Sequence, residues 1–92
     1  MEQESYLPSI EILMSSYNGE GYIEEQIDTI LNQKKVRTHI SIRDDGSSDD
    51  TVSVINKKMQ EYPERISLYT GDNIGYRKSF LKLLTVAQNA EY

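Results

Sequence analysis

Three short apolar strand signals alternate with three amphipathic helix signals, and this alternation constrains the chain more than any other feature. The first strand is read from Ser9 to Ser16, where Ile10, Ile12, Leu13 and Met14 supply the apolar character. The second is read from Thr38 to Asp44, with Ile40 and Ile42 alternating against His39, Ser41 and Arg43. The third runs from Arg65 to Tyr69, with Ile66 and Leu68 alternating. A first helix is expected over Glu20 to Gln33, because Ile23, Ile27, Ile30 and Leu31 fall on one stripe of a 3.6-residue period. A second is expected over Asp49 to Tyr62. Ser48 serves as its N-cap, Asp49 and Asp50 suit the positive end of its dipole, and Pro63 stops it. Val52, Ile55 and Met59 give its buried face. The third, Tyr76 to Asn89, should bury Phe80, Leu83, Leu84 and Ala87.

Strands starting about every 30 residues match the size of a right-handed β-α-β crossover. The predicted fold class is therefore α/β: a three-layer β-α-β-α-β-α arrangement with a parallel sheet covered by helices. Residues 1–8 are expected to be a loose N-terminal segment, with 9–92 forming the domain. One local conflict stands out. Strands buried on both faces are almost wholly apolar, yet Ser41 and Arg43 share a face of the second strand. That face is expected to lie partly open, or to be covered by something outside the chain.

Composition narrows the function classes. The 92 residues contain no cysteine, which removes disulfide frameworks and thiolate metal sites and permits a cytosolic location. No apolar run reaches the roughly 18–20 residues that span a bilayer, and the acidic start Met1-Glu2-Gln3-Glu4 is unlike a secretory signal. The formal charge of -5, with scattered cations, argues against nucleic acid as a partner. Lys34-Lys35-Val36-Arg37 is the densest basic group and reads as a solvated helix-to-strand loop. His39, the single histidine, falls inside the second strand, where a surface or packing role is expected.

Ligands of open α/β sheets bind outside the carboxyl ends of the strands. Three segments should meet there: Ser15 to Gly21, Asp44 to Asp50, and Thr70 to Lys78, all polar and glycine-bearing. In these segments "ILMSSYNGEGYIEEQIDTILNQ", "ISIRDDGSSDDT" and "GDNIGYRKSFLKLL" follow one another. Together they resemble the opening of family 2 glycosyltransferases of the GT-A fold. Those enzymes share a strand ending in a small hydroxyl residue, x, Tyr-Asn, then Asp-Asp-Gly-Ser, then an Asn-x-Gly turn. The likeness covers Ile10 to Tyr92 and is nearest to bacterial surface-polysaccharide enzymes, including rhamnosyltransferase-like members.

The resemblance implies a nucleotide site built from Ser15, Tyr17, Asp44, Asp45 and Lys78. Asp45 matches the family's base-reading acid; a carboxylate there can accept the imide N–H of uracil or thymine, a donor that cytosine lacks. Asp44 could equally orient the Gly46 turn. Ser15 and Tyr17 match positions lining the nucleoside, and Tyr17 offers a flat ring with a polar tip. Lys78, favoured over Arg77, could hold a diphosphate at the start of the third helix. Glu20, Asp49 and Asp50 read as helix-start acids.

The implied donor is a UDP- or dTDP-sugar, and the implied acceptor a glycan or lipid-linked sugar. The implied setting is cytoplasmic, with peripheral attachment to the inner membrane face in a longer protein. The family also needs Mg²⁺ or Mn²⁺, held by an acidic motif after a fourth strand, and a general base later still. Neither motif occurs in residues 1–92, and Asp44 to Asp50 does not read as an EF-hand loop. The expectation is thus a nucleotide-binding portion, truncated before the metal motif and inactive alone, with no catalytic or metal-ligating residue of its own. The exposed edge of the first strand should favour a homodimer.

Two other classes compete. A dinucleotide-binding fold would use Gly19-x-Gly21, but Glu24 stands where the third glycine belongs. A stand-alone, non-catalytic α/β module binding a nucleotide or a partner chain is the alternative from outside enzymology.

Overall fold

In a computed structural model, the chain is described from Pro8 to Gln88, and the elements alternate as the sequence predicts. They are β1 (Ser9–Ser16), α1 (Ile23–Leu31), β2 (Arg37–Asp45), α2 (Thr51–Glu61), β3 (Ile66–Gly71) and α3 (Tyr76–Gln88). The segment 1–7, the expected end of α3 at Asn89 and the Ala87 side chain lie outside the described residues.

The three strands form one parallel sheet in the order β1-β2-β3. The register aligns Ile12, Ile40 and Ile66 across the sheet, then Met14, Ile42 and Leu68. Because side chains alternate along a strand, these six share one face. Ile23, Ile27 and Leu31 of α1 and Ile55 of α2 close over that face as the main core. Ile30, expected in this stripe, is half-buried and packs at its edge.

The opposite face is polar, and α3 lies across it, packed on β1 and β2. This answers the conflict in the second strand. Ser41 and Arg43 are both buried: Ser41 donates to a Glu11 carboxylate oxygen at 2.6 Å, and Arg43 lies beneath Ser79 of α3. The polar partners also change which side of α3 is inside. Ser79 and Leu83, one helical turn apart, are fully buried, whereas Phe80 is 38% exposed.

Two helix starts differ from expectation. Ser48 does not cap α2, which begins at Thr51; the Thr51 N–H donates to Asp49 Oδ1 at 3.0 Å. α1 begins at Ile23 rather than Glu20, because Gly19 to Tyr22 form a turn whose Gly19 carbonyl accepts from Tyr22 and Ile23. In both cases loop-to-loop bonds outcompete local helix preference: Glu20 N–H reaches Asp49, and Asp50 N–H reaches Glu20.

The two core-side helices are joined by a charge cluster. Lys58 of α2 is buried and its Nζ sits 2.8 Å from Asp28, 3.0 Å from Glu61 and 3.2 Å from Glu24. Tyr62 Oη donates to the same Asp28 oxygen at 3.1 Å. The Lys58 bond holds the Asp28 carboxyl below its usual value against some desolvation, while Asp28, Glu61 and Glu24 push Lys58 upward. A depressed carboxyl contributes stability above its unfolded pKa and loses it as pH falls through the folded value. The unfolding midpoint should therefore drop as pH falls from about 5 toward 3, and Asp28→Asn should flatten that drop. A urea titration at stepped pH values, giving equal slopes for both proteins, would contradict this.

Candidate functional site

The carboxyl ends of the strands are knitted together by side chains from all three following loops. After β1, Asn18 adopts a left-handed backbone (φ 49°), a conformation asparagine tolerates better than most residues. Its N–H donates to Ser47 Oγ at 2.8 Å, and its Oδ1 accepts the Ser48 N–H at 2.8 Å. The Gly19 N–H donates to Thr51 Oγ1 at 2.7 Å. The first loop is thus tied to the second.

The second loop is tied to the third through Asp45 and Gly46. Asp45 is 1% exposed. Its Oδ1 accepts from Ile74 N–H at 2.8 Å and from Arg43 Nη1 at 3.0 Å, and its Oδ2 accepts from Gly75 N–H at 3.0 Å. The Asn73 side-chain amide donates to the Asp45 carbonyl at 3.1 Å. Gly46 has φ 72°, and a Cβ there would lie 2.8 Å from the Asn73 backbone nitrogen. Glycine is required on both counts. Burial pushes the Asp45 carboxyl upward; the Ile74 amide, Arg43 and the Gly75 amide outweigh it and leave the carboxyl below its usual value.

Asp44 points to the other face of β2, as alternation demands. It is buried and accepts from Ser16 Oγ at 2.8 Å, Ser47 Oγ at 2.6 Å and Ser47 N–H at 2.8 Å. This is the turn-orienting position. Ser15, on the α3 side, donates to Ser79 Oγ at 3.0 Å. It also borders a hollow of about 600 Å³ together with Tyr76, Arg77, Phe80 and Leu81. Tyr17 is 47% exposed on the first loop. Lys78 is exposed in the first turn of α3.

Of the five residues singled out in the sequence, then, Ser15, Asp44 and Asp45 are built into one bonded end of the sheet, and Tyr17 and Lys78 face solvent from adjoining segments. Four further residues take a part that only the coordinates show: Asn18 and Asn73, already present in the Tyr-Asn and Asn-x-Gly motifs, together with Arg43 and Ser79. Arg43 left one signal, since it precedes Asp45 by two on a strand and so shares its face. Ser79 left none.

His39 lies away from this end. Its Nδ1 is 2.8 Å from Glu11 and its Nε2 3.1 Å from Ser67 Oγ. A groove of about 730 Å³ runs beside it at the amino ends of the strands. Among the described residues no group of three or more His, Asp or Glu side chains is placed to hold a metal ion. Asp44 and Asp45 each already accept three hydrogen bonds from protein donors. The described residues therefore do not form the divalent-cation site that the family resemblance implies, and no helix among them is long and apolar enough to cross a membrane.

A three-stranded parallel sheet with helices on both faces and three polar loops joined at its carboxyl end defines an open α/β domain, with those loops at the edge where such sheets bind ligands. The family model for Glycosyl transferase family 2 matches residues 11–90, and the chain belongs to that family. It is 38% identical over 73 residues to the dTDP-rhamnosyl transferase RfbG of Shigella flexneri, covering 77% of this chain and 25% of that protein. It is 36% identical over 69 residues to the chondroitin synthase of Pasteurella multocida, covering 75% of this chain and 7% of the synthase. A GalNAc(5)-diNAcBac-PP-undecaprenol beta-1,3-glucosyltransferase of Campylobacter jejuni matches at 31% over 67 residues, covering 73% of this chain and 21% of that protein. The chain spans a quarter or less of the length of these three relatives.

Proposed function

We propose that this chain supplies the donor-nucleotide half of a glycosyltransferase that moves a sugar from a UDP- or dTDP-sugar onto a glycan or lipid-linked acceptor in bacterial surface-glycan synthesis. The observation that carries the reading is the joining of the three polar loops at the carboxyl end of the sheet, the first to the second through Asn18 and Ser47 and the second to the third through Asp45, with the segments in family order. The similarity to a dTDP-rhamnosyl transferase supports a dTDP-sugar donor, and that to a chondroitin synthase and an undecaprenol-linked-glycan glucosyltransferase supports the acceptor classes.

In this reading Asp45 accepts the imide N–H of uracil or thymine. An ionised carboxylate has about four acceptor positions, and protein donors occupy three of them. Reaching the fourth requires the loop Asp72–Gly75 to shift, because Asp45 is buried beneath it. Tyr17 offers a ring for stacking, Ser15 a hydroxyl on the hollow beside α3, and Lys78 a cation for the diphosphate. The described residues contribute recognition, and no step of the transfer itself is assigned to them.

Titration with UDP, dTDP and NAD, each with Mg²⁺ or Mn²⁺, tests the reading. UDP or dTDP should shift the amide resonances of Tyr17, Asp45 and Lys78 with weak affinity, and NAD should do so less. Tighter NAD binding would favour a dinucleotide site instead. The 92-residue polypeptide alone is expected to transfer no sugar from either donor class.

A further inference from the structure

Arg43 is the one cationic side chain buried on β2, beside the buried carboxylates Asp44 and Asp45. A branched apolar residue would fill a central parallel strand at lower cost, and a guanidinium taken out of water is expensive unless fully paired. Arg43 is 5% exposed and its pairing is specific. Nη1 donates to Asp45 Oδ1 at 3.0 Å and to Ser79 Oγ at 2.8 Å; Nη2 donates to the Asp72 carbonyl at 3.3 Å. Ser15 Oγ reaches the same Ser79 oxygen at 3.0 Å. Even the neighbouring strand makes room: a Cβ on Gly71 would lie 2.2 Å from Nη2. One buried cation thus touches Asp45 of β2, the start of the loop after β3, and α3, and through Ser79 the end of β1.

We infer that Arg43, seated on Ser79, is a positioning residue for base choice: it fixes Asp45 as an ionised, correctly turned acceptor, so that the rim favours a pyrimidine with an imide N–H over cytosine. The inference rests on the nucleotide reading above and adds residues and a selectivity to it. Ionisation matters because a carboxylate can only accept, whereas a protonated carboxyl can donate to the ring nitrogen of cytosine. Orientation matters because Arg43 takes Oδ1, which leaves the spare acceptor position on Oδ2, where only Gly75 bonds. Without the cation, burial of Asp45 would be opposed by two backbone amides alone.

The test compares UDP and CDP binding by amide titration of the 92-residue chain and of Arg43→Gln, Arg43→Lys and Ser79→Ala. The unaltered chain should prefer UDP by about tenfold or more, a difference worth about 1.4 kcal/mol per decade. Arg43→Gln should bring the ratio close to one, Arg43→Lys should restore most of it, and Ser79→Ala should lower it by a smaller factor. A purely structural role would weaken both nucleotides together. An Arg43→Gln chain that keeps its UDP:CDP ratio would overturn the inference while leaving the nucleotide reading intact. If Arg43→Gln does not fold, Ser79→Ala decides, and an unchanged ratio there overturns it equally. An unaltered chain with no preference for UDP would sink the nucleotide reading and this role with it.

Discussion

Ile55→Ala should lower the unfolding free energy by about 2–5 kcal/mol, the usual cost of truncating a fully enclosed isoleucine. Ile55 is 0% exposed and belongs to the cluster that includes Ile23, Ile27, Ile40 and Ile42. It is the only fully buried apolar side chain on α2 among the described residues; its buried neighbours on that helix are Thr51 and Lys58. Val54 and Met59 of the same helix pack against this cluster but are only partly buried. A domain of this size has roughly 5–14 kcal/mol in total, so the loss is a large share. Each kcal/mol should lower the melting temperature by about 4–8 °C. Urea denaturation followed by circular dichroism should show a lower midpoint at unchanged slope. Leu81→Ala is the matched control, since Leu81 is 61% exposed on α3 and should move stability by less than about 0.5 kcal/mol. Equal losses from the two substitutions would mean that the core does not lie between α1, α2 and the sheet.

The contrast between those two residues shows what the sequence could and could not reveal. The apolar periods of α1 and β2 placed Ile23, Ile27, Ile40 and Ile42 inside, because a single face of each element meets a purely apolar layer. On α3 the same reasoning put Phe80 inside. The layer beneath α3 is polar, and the helix turns Ser79 toward Arg43 instead. Periodicity reports which residues are apolar, not what waits on the other side, and Ser79 is 36 positions from Arg43. The helix starts follow the same rule. Ser48 is a sound cap by local preference, but its Oγ and N–H both turn to Asn18 Oδ1 of another loop, and α2 starts at Thr51, whose N–H donates to Asp49. Strand ends were legible to within two residues because alternation stops abruptly at Ser16 and Asp45.

The site was legible in a similar way. Asp45 was identifiable from the strand end and its motif; its donors were not, since two are backbone amides of a loop about thirty residues away. Arg43 looked like a flaw in a buried strand. It is better understood as the partner that makes a buried Asp45 tolerable, so the conflict with the apolar pattern marks the place where local rules yield to the site.

Asp45→Asn should have the second large effect, because it conserves shape while changing hydrogen-bond chemistry. The carboxylate accepts from three donors: Arg43, Ile74 N–H and Gly75 N–H. An amide keeps one acceptor oxygen and gains an NH₂. Whichever way it is turned, the NH₂ faces either the Gly75 N–H or the pair formed by Arg43 and the Ile74 N–H, and a buried guanidinium is left without its anion. Lost bonds to charged groups and unsatisfied donors of this kind cost about 2–4 kcal/mol. The loss should be greatest near neutral pH. Asp45 is held below its usual carboxyl value by its three donors despite its burial, so its contribution is present above the unfolded pKa and fades as pH falls through the folded one. The two forms should converge in acid, where the unaltered chain is itself protonated. Hydrogen exchange at Ile74 and Gly75 should quicken, since their acceptor is gone, and UDP should no longer shift the Tyr17 and Lys78 resonances. Retained protection at those two amides, or a stability difference that does not narrow as pH falls, would show that the Asp45 charge does not hold the third loop to the sheet.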